Sequence, residues 1–79
     1  MGNPKGIFNM KMSYPAFVSQ VSLNIQILTD EQFNIRSGEL PSGPQYLRNM
    51  YASGFGARQI AEDIIEYWIG VGIIPLPVE

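Results

Sequence analysis

Two of the side chains most used for nucleophilic and acid–base chemistry are missing, because the 79-residue chain has no histidine and no cysteine. That removes thiol and imidazole nucleophiles, the Ser–His–Asp arrangement, an imidazole general base, and the usual ligand sets for zinc, haem and iron–sulfur clusters. Carboxylates and one glycine-bracketed turn are what remain. Glu62, Asp63 and Glu66 fall within five positions, and a divalent cation could bridge them. Oxygen-ligand sites usually collect carboxylates from several elements, however, so a trio on one helix reads as a solvated face and a docking point for a basic partner. Hydrolysis by paired carboxylates needs two acids across a cleft, and nothing in the pattern sets Asp30 or Glu39 opposite the helix. The expectation is a protein that binds without catalysis, with no metal and no cofactor.

The turn is Ser53-Gly54-Phe55-Gly56, with Arg58 two residues on. At the head of a helix, free backbone N–H groups and the positive end of the dipole can hold a phosphate or carboxylate, so Ser53, Gly54, Gly56 and Arg58 form an alternative anion-binding site. The segment has neither the Gly-Lys-Ser/Thr of a P-loop nor the strand that precedes a dinucleotide fingerprint, and a plain interhelical turn explains it as well.

The elements that must position these groups read as strands followed by helices. From Phe17 to Leu28, one side carries Phe17, Val21, Leu23, Ile25 and Ile27 and the other Gln20, Ser22, Asn24 and Gln26. Alternation of this kind predicts a long half-buried strand. Thr29-Asp30-Glu31 makes a polar break, and Gln32 to Ser37 resumes the alternation with Phe33 and Ile35 against Gln32, Asn34 and Arg36, completing a hairpin. Phe8, Met10 and Met12 alternate upstream, and Pro15 then interrupts the chain, as suits an edge strand. Gly38 to Pro44 ends the sheet. A capping box at Ser42 and Gln45 opens a short helix with the stripe Leu47, Met50, Tyr51. A longer helix runs from about Ala57 to Ile69, burying Ala57, Ile60, Ala61, Ile64, Ile65, Trp68 and Ile69, and Gly70 and Gly72 end it. The predicted fold is therefore α+β: a three-stranded antiparallel meander followed by two helices packed on one face, a single domain over 1–79 with a flexible N-terminus at 1–5.

A domain this small buries only about 60% of the surface its unfolded chain exposes, and without disulfides or metals the common remaining support is association. The apolar tail 70–79, too rich in proline for a central strand, reads as an intersubunit arm, with Trp68, Ile73, Ile74, Leu76 and Val78 as the oligomer interface. Five Lys and Arg against seven Asp and Glu leave a net charge of -2 with no basic cluster, which speaks against nucleic acid. The apolar run from Ile64 to Val78 is too short for a membrane span and carries Glu66, Pro75 and Pro77. Met1 to Gly6 has no apolar export region and sets Gly6 where a myristoylation motif wants Ser or Thr. The location expected is cytoplasmic.

A neutral sheet face rich in amides suits recognition by matched donors and acceptors, so Gln20, Asn24, Gln26, Asn34 and Arg36, together with Glu62, Asp63 and Glu66, are the expected protein-binding residues. Laid on a helix-turn-helix, Ala52 to Asp63 puts Glu62 where that motif packs an apolar side chain. The order strand, helix, helix is similar in shape to a ribbon-helix-helix repressor chain, which would make Gln32, Asn34 and Arg36 the groove-reading residues of a DNA-binding dimer. The long first strand and the acidic balance depart from that family. Neither family is claimed. The reading adopted is a small oligomeric protein-binding module that modulates or inhibits a larger intracellular partner, with the ribbon-type dimer and a binder of small phosphorylated ligands as alternatives.

Overall fold

The computed structural model describes residues 12–75, and within them the chain is helical. Helix α1 spans Tyr14–Leu28, α2 spans Tyr46–Ser53 and α3 spans Ala57–Val71. No strand occurs among the described residues, so the α+β meander is overturned. The expected edge strand through Phe8 and Met10 lies outside the described residues.

Helix α1 stands where the long first strand was expected. Phe17, Val21 and Ile25 satisfy alternation, but they are also four apart, and four-residue spacing stacks them on one face of a helix. They are the residues α1 buries. Leu23 and Ile27, which a strand would bury beside them, are 46% and 63% exposed. The start signal is Ser13, whose hydroxyl accepts from the Ala16 N–H at 3.3 Å, with Pro15 in the first turn where its missing N–H costs nothing. That proline opens the helix instead of interrupting a sheet.

The second expected strand is a series of turns. Asn34 holds one of them: its side-chain oxygen accepts from the Arg36 N–H at 2.8 Å, its own N–H donates to Ser37 Oγ at 2.8 Å, and its carbonyl accepts from the Ser37 N–H at 2.9 Å. These local bonds offer the backbone an alternative to a ladder. Phe33 and Ile35 still face inward and pack against the core while Gln32, Asn34 and Arg36 stay exposed, so the alternation of burial persists without a strand. Ser22 of α1 and Thr29 at its C-terminal cap tether the segment. Ser22 Oγ accepts from the Ile35 N–H at 3.2 Å, and Thr29 Oγ1 accepts from the Phe33 N–H at 3.2 Å while donating to the Ile25 carbonyl at 2.7 Å.

The connection then crosses to α3, where the Trp68 indole N–H donates to the Glu39 carbonyl at 2.6 Å. Gly38 is required at this crossing, because a Cβ there would lie 2.6 Å from Ile73 Cδ1 and 2.9 Å from Trp68 Nε1. The expected cap at Ser42 does not form: Ser42 adopts a left-handed φ of 63°, and Gln45 is the N-cap of α2 with no side-chain hydrogen bond. Helix α2 ends at Gly54 with φ 86°. Helix α3 runs through Gly70 and stops at Gly72 with φ 90°.

The core joins all three helices through Phe17, Val21, Ile25, Tyr46, Leu47, Ile60, Ala61, Ile64 and Trp68. The two later helices thus pack on α1, the element read as sheet. Phe17 lines one hollow with Gly56 and Ala57, and Leu28 lines another with Ile65 and Ile69, so α1 and α3 run in the same direction. Parallel neighbours need a long return, and residues 29–45 together with α2 supply it. Tyr14 and Phe17 close the far end against Tyr51, each with ring centroids 5.3 Å away, and the Arg48 guanidinium lies 4.3 Å from the centre of the Tyr14 ring.

Candidate functional site

The first turns of α3 place Arg58, Glu62, Asp63 and Glu66 outward as a consequence of burying Ile60, Ala61 and Ile64. Arg58 Nε donates to Glu62 Oε2 at 3.2 Å. This is the one ion pair among the described residues, and being exposed and four apart on a helix it contributes little. Asp63 has a neighbour on α2. Burial of the Tyr46 ring and then the nearby Asp63 charge hold the Tyr46 hydroxyl above its usual pKa of 10.0.

Beside these carboxylates the surface is concave. A groove of about 500 Å³ runs between the end of α1 and the outer side of α3, lined by Leu28, Ile65 and Ile69 with Glu62, Asp63 and Glu66 on its rim. A second hollow of about 340 Å³ shares Leu28, Ile65 and Ile69 and extends the floor past Thr29 and Phe33 to Ile74 and Pro75. The shared residues join the two into one shallow trough, with Leu28, Ile65 and Ile69 at its centre, the carboxylates at one end and Thr29 and Gln32 toward the other. Sequence reasoning found the carboxylates and missed the floor, because Leu28 and Phe33 were assigned to sheet strands. The signal available was Ile65 and Ile69, four apart on α3 at the edge of its buried face.

The other expected site residues are dispersed. Gln20, Asn24 and Gln26 stand on α1, where Gln26 is turned about 160° from Asn24 at 100° per residue, so they share no face. The Asn24 side-chain amide donates back to the Gln20 carbonyl at 2.8 Å. Asn34 and Arg36 lie in the turn described above, and the ribbon that would carry them into a DNA groove is absent from the described residues. Ser53 and Gly54 close α2, Gly56 caps α3, and Arg58 is turned to Glu62. The small hollow beside that turn, about 170 Å³, is lined by Gly54 and Gly56 together with the apolar and aromatic side chains of Met12, Phe17, Tyr51, Phe55 and Ala57.

Trp68 is 0% exposed and offers no surface to a second subunit, and Ile73 and Ile74 are half-buried against the protein's own core. Their backbone N–H groups donate to the Trp68 carbonyl at 2.9 and 3.3 Å, which folds the start of the tail back onto α3. Leu76 and Val78 lie outside the described residues. Among those residues no three carboxylates converge as a metal site, and no helix is long and apolar enough to cross a membrane. Comparison with protein-family models, with curated proteins and with solved structures finds no match to this chain.

Proposed function

We propose that this protein is a non-enzymatic binding module that attaches to a larger partner, and modulates it, by taking a cationic amphipathic segment of that partner into the trough between α1 and α3. The observation that carries this reading is the union of an apolar floor, Leu28, Ile65 and Ile69, with a rim holding Glu62, Asp63 and Glu66. An amphipathic helix laid in such a groove would bury its apolar side on the floor and set Lys or Arg against the rim. Charge at the rim chiefly sets partner choice and association rate, while the floor supplies affinity. The lack of histidine and cysteine across the whole chain supports the non-catalytic half of the proposal.

The test is a fluorescence anisotropy titration with two labelled helical peptides of the same leucine pattern, one filled with lysine and one with glutamate. The lysine peptide is expected to bind, more weakly as salt rises, and the double variant Glu62→Lys, Glu66→Lys is expected to reverse the preference. Equal binding of both peptides, or a lysine peptide indifferent to the double variant, would overturn the reading.

A further inference from the structure

Helix α1 carries no charged side chain in any of its fifteen positions, Tyr14 to Leu28. Only Phe17, Val21 and Ile25 are buried by the fold. Ala16, Gln20, Leu23 and Ile27 are all exposed and recur at spacings of four, three and four. At 100° per residue they form one stripe, turned about 130° from the core face. The stripe takes no part in the trough, since none of its four residues lines it. Alternating spacings of this kind are those of a helix seam that packs against another helix.

We infer that this stripe is the contact between two copies of the chain, packed antiparallel about a twofold axis. The choice of occupant follows from charge. Across a twofold axis a patch meets the same patch of the other copy, so an acidic patch is set against acidic residues. The outer side of α3, with Glu62, Asp63 and Glu66, is unsuited to such pairing, whereas α1 would bring no charged side chain to it. With the axis between Gln20 and Leu23, Leu23 of one copy lies beside Gln20 of the other and Ile27 faces Ala16. A large side chain then meets a small one at each end, which lets the two helix axes approach to ordinary packing distance. The antiparallel arrangement also sets the two helix dipoles head to tail. A contact confined to one helix per copy belongs to the small interfaces, under about 1,200 Å², that make weak and reversible assemblies. The pairing is therefore expected to show between high micromolar and millimolar concentration.

Sedimentation equilibrium of the full chain across that range tests it. The mass is expected to rise from 8.8 kDa towards twice that value, with no loss of pairing in molar salt, because no ion pair contributes. Gln20→Leu extends the apolar seam on an exposed position and is expected to move the midpoint at least tenfold lower in concentration. Leu23→Glu with Ile27→Glu is expected to hold the chain at monomer mass with unchanged helical circular dichroism. A chain that stays monomeric at millimolar concentration would overturn the inference, as would a Gln20→Leu variant that pairs no better than the parent. Pairing lost instead on Glu62→Lys, Glu66→Lys would assign the contact to the trough, overturn the α1 seam and leave the peptide experiment to judge the trough separately.

Discussion

Ile25 and Ile27 are two residues apart on the same helix, and truncating each to alanine should have very different consequences. Ile25 is 0% exposed and touches the core shared by all three helices, whereas Ile27 is 63% exposed. Removing a buried isoleucine side chain beyond Cβ costs about 2–5 kcal/mol, from lost transfer energy plus the cavity left behind. A cysteine-free domain of this size has about 3–5 kcal/mol to lose. Ile25→Ala should consequently bring the protein to the edge of unfolding at room temperature. At Ile27 the side chain is mostly hydrated already, and alanine is the better helix former by a few tenths of a kcal/mol. The net change for Ile27→Ala should stay within about 0.5 kcal/mol. Urea denaturation followed by circular dichroism at low protein concentration, where pairing is dissolved, reads both. With a slope of about 1 kcal/mol per molar urea for a chain this short, the midpoint should drop by about 2 M or more for Ile25→Ala and by under about 0.5 M for Ile27→Ala. A strand would bury both side chains on one face and make the two shifts alike. Equal shifts would refute the helical assignment of this segment and the trough and seam built on it.

Gly38→Ala should destabilise by about 1–3 kcal/mol, since the new methyl group would press on Ile73 Cδ1 and the Trp68 indole, and a thermal melt measures it. Glu31 holds a left-handed φ of 66° just beyond α1; a non-glycine residue there costs about 1–2 kcal/mol, of which extra unfolded-chain entropy takes back about 0.4–1. Glu31→Gly should thus raise stability by about 0.5–1 kcal/mol in the same melt. Tyr46 keeps its proton to higher pH in the folded chain than in the unfolded one. Its contribution is intact below pH 10.0 and is lost as pH rises from there through the folded-state pKa. Tyr46→Phe should flatten that alkaline loss, and Asp63→Asn should lower the pH at which Tyr46 ionises, followed by tyrosinate absorbance.

The amino-acid sequence by itself determined that these 79 residues carry no imidazole and no thiol, since no fold can supply a side chain that is not there. It also determined α3, where Ile60, Ala61, Ile64 and Trp68 fit a period of 3.6 and no other, and so the outward position of Glu62, Asp63 and Glu66. The sidedness of Phe33 and Ile35 was legible too, though not the turns that produce it, because Asn34 and Ser37 satisfy the local backbone through side-chain bonds that alternation does not reveal. Segment 14–28 was undetermined by its pattern: Phe17, Val21 and Ile25 obey both a period of two and a spacing of four. Pro15 read as a break before a strand, whereas with Ser13 it opens the helix. Tertiary structure decided it, because the surface offered by Leu47, Ile60, Ile64 and Trp68 buries a single stripe of α1 and leaves Leu23 and Ile27 outside. With α1 a helix packed lengthwise on α3, its last residue, Leu28, comes beside Ile65 and Ile69, and the trough over these three exists only by that packing.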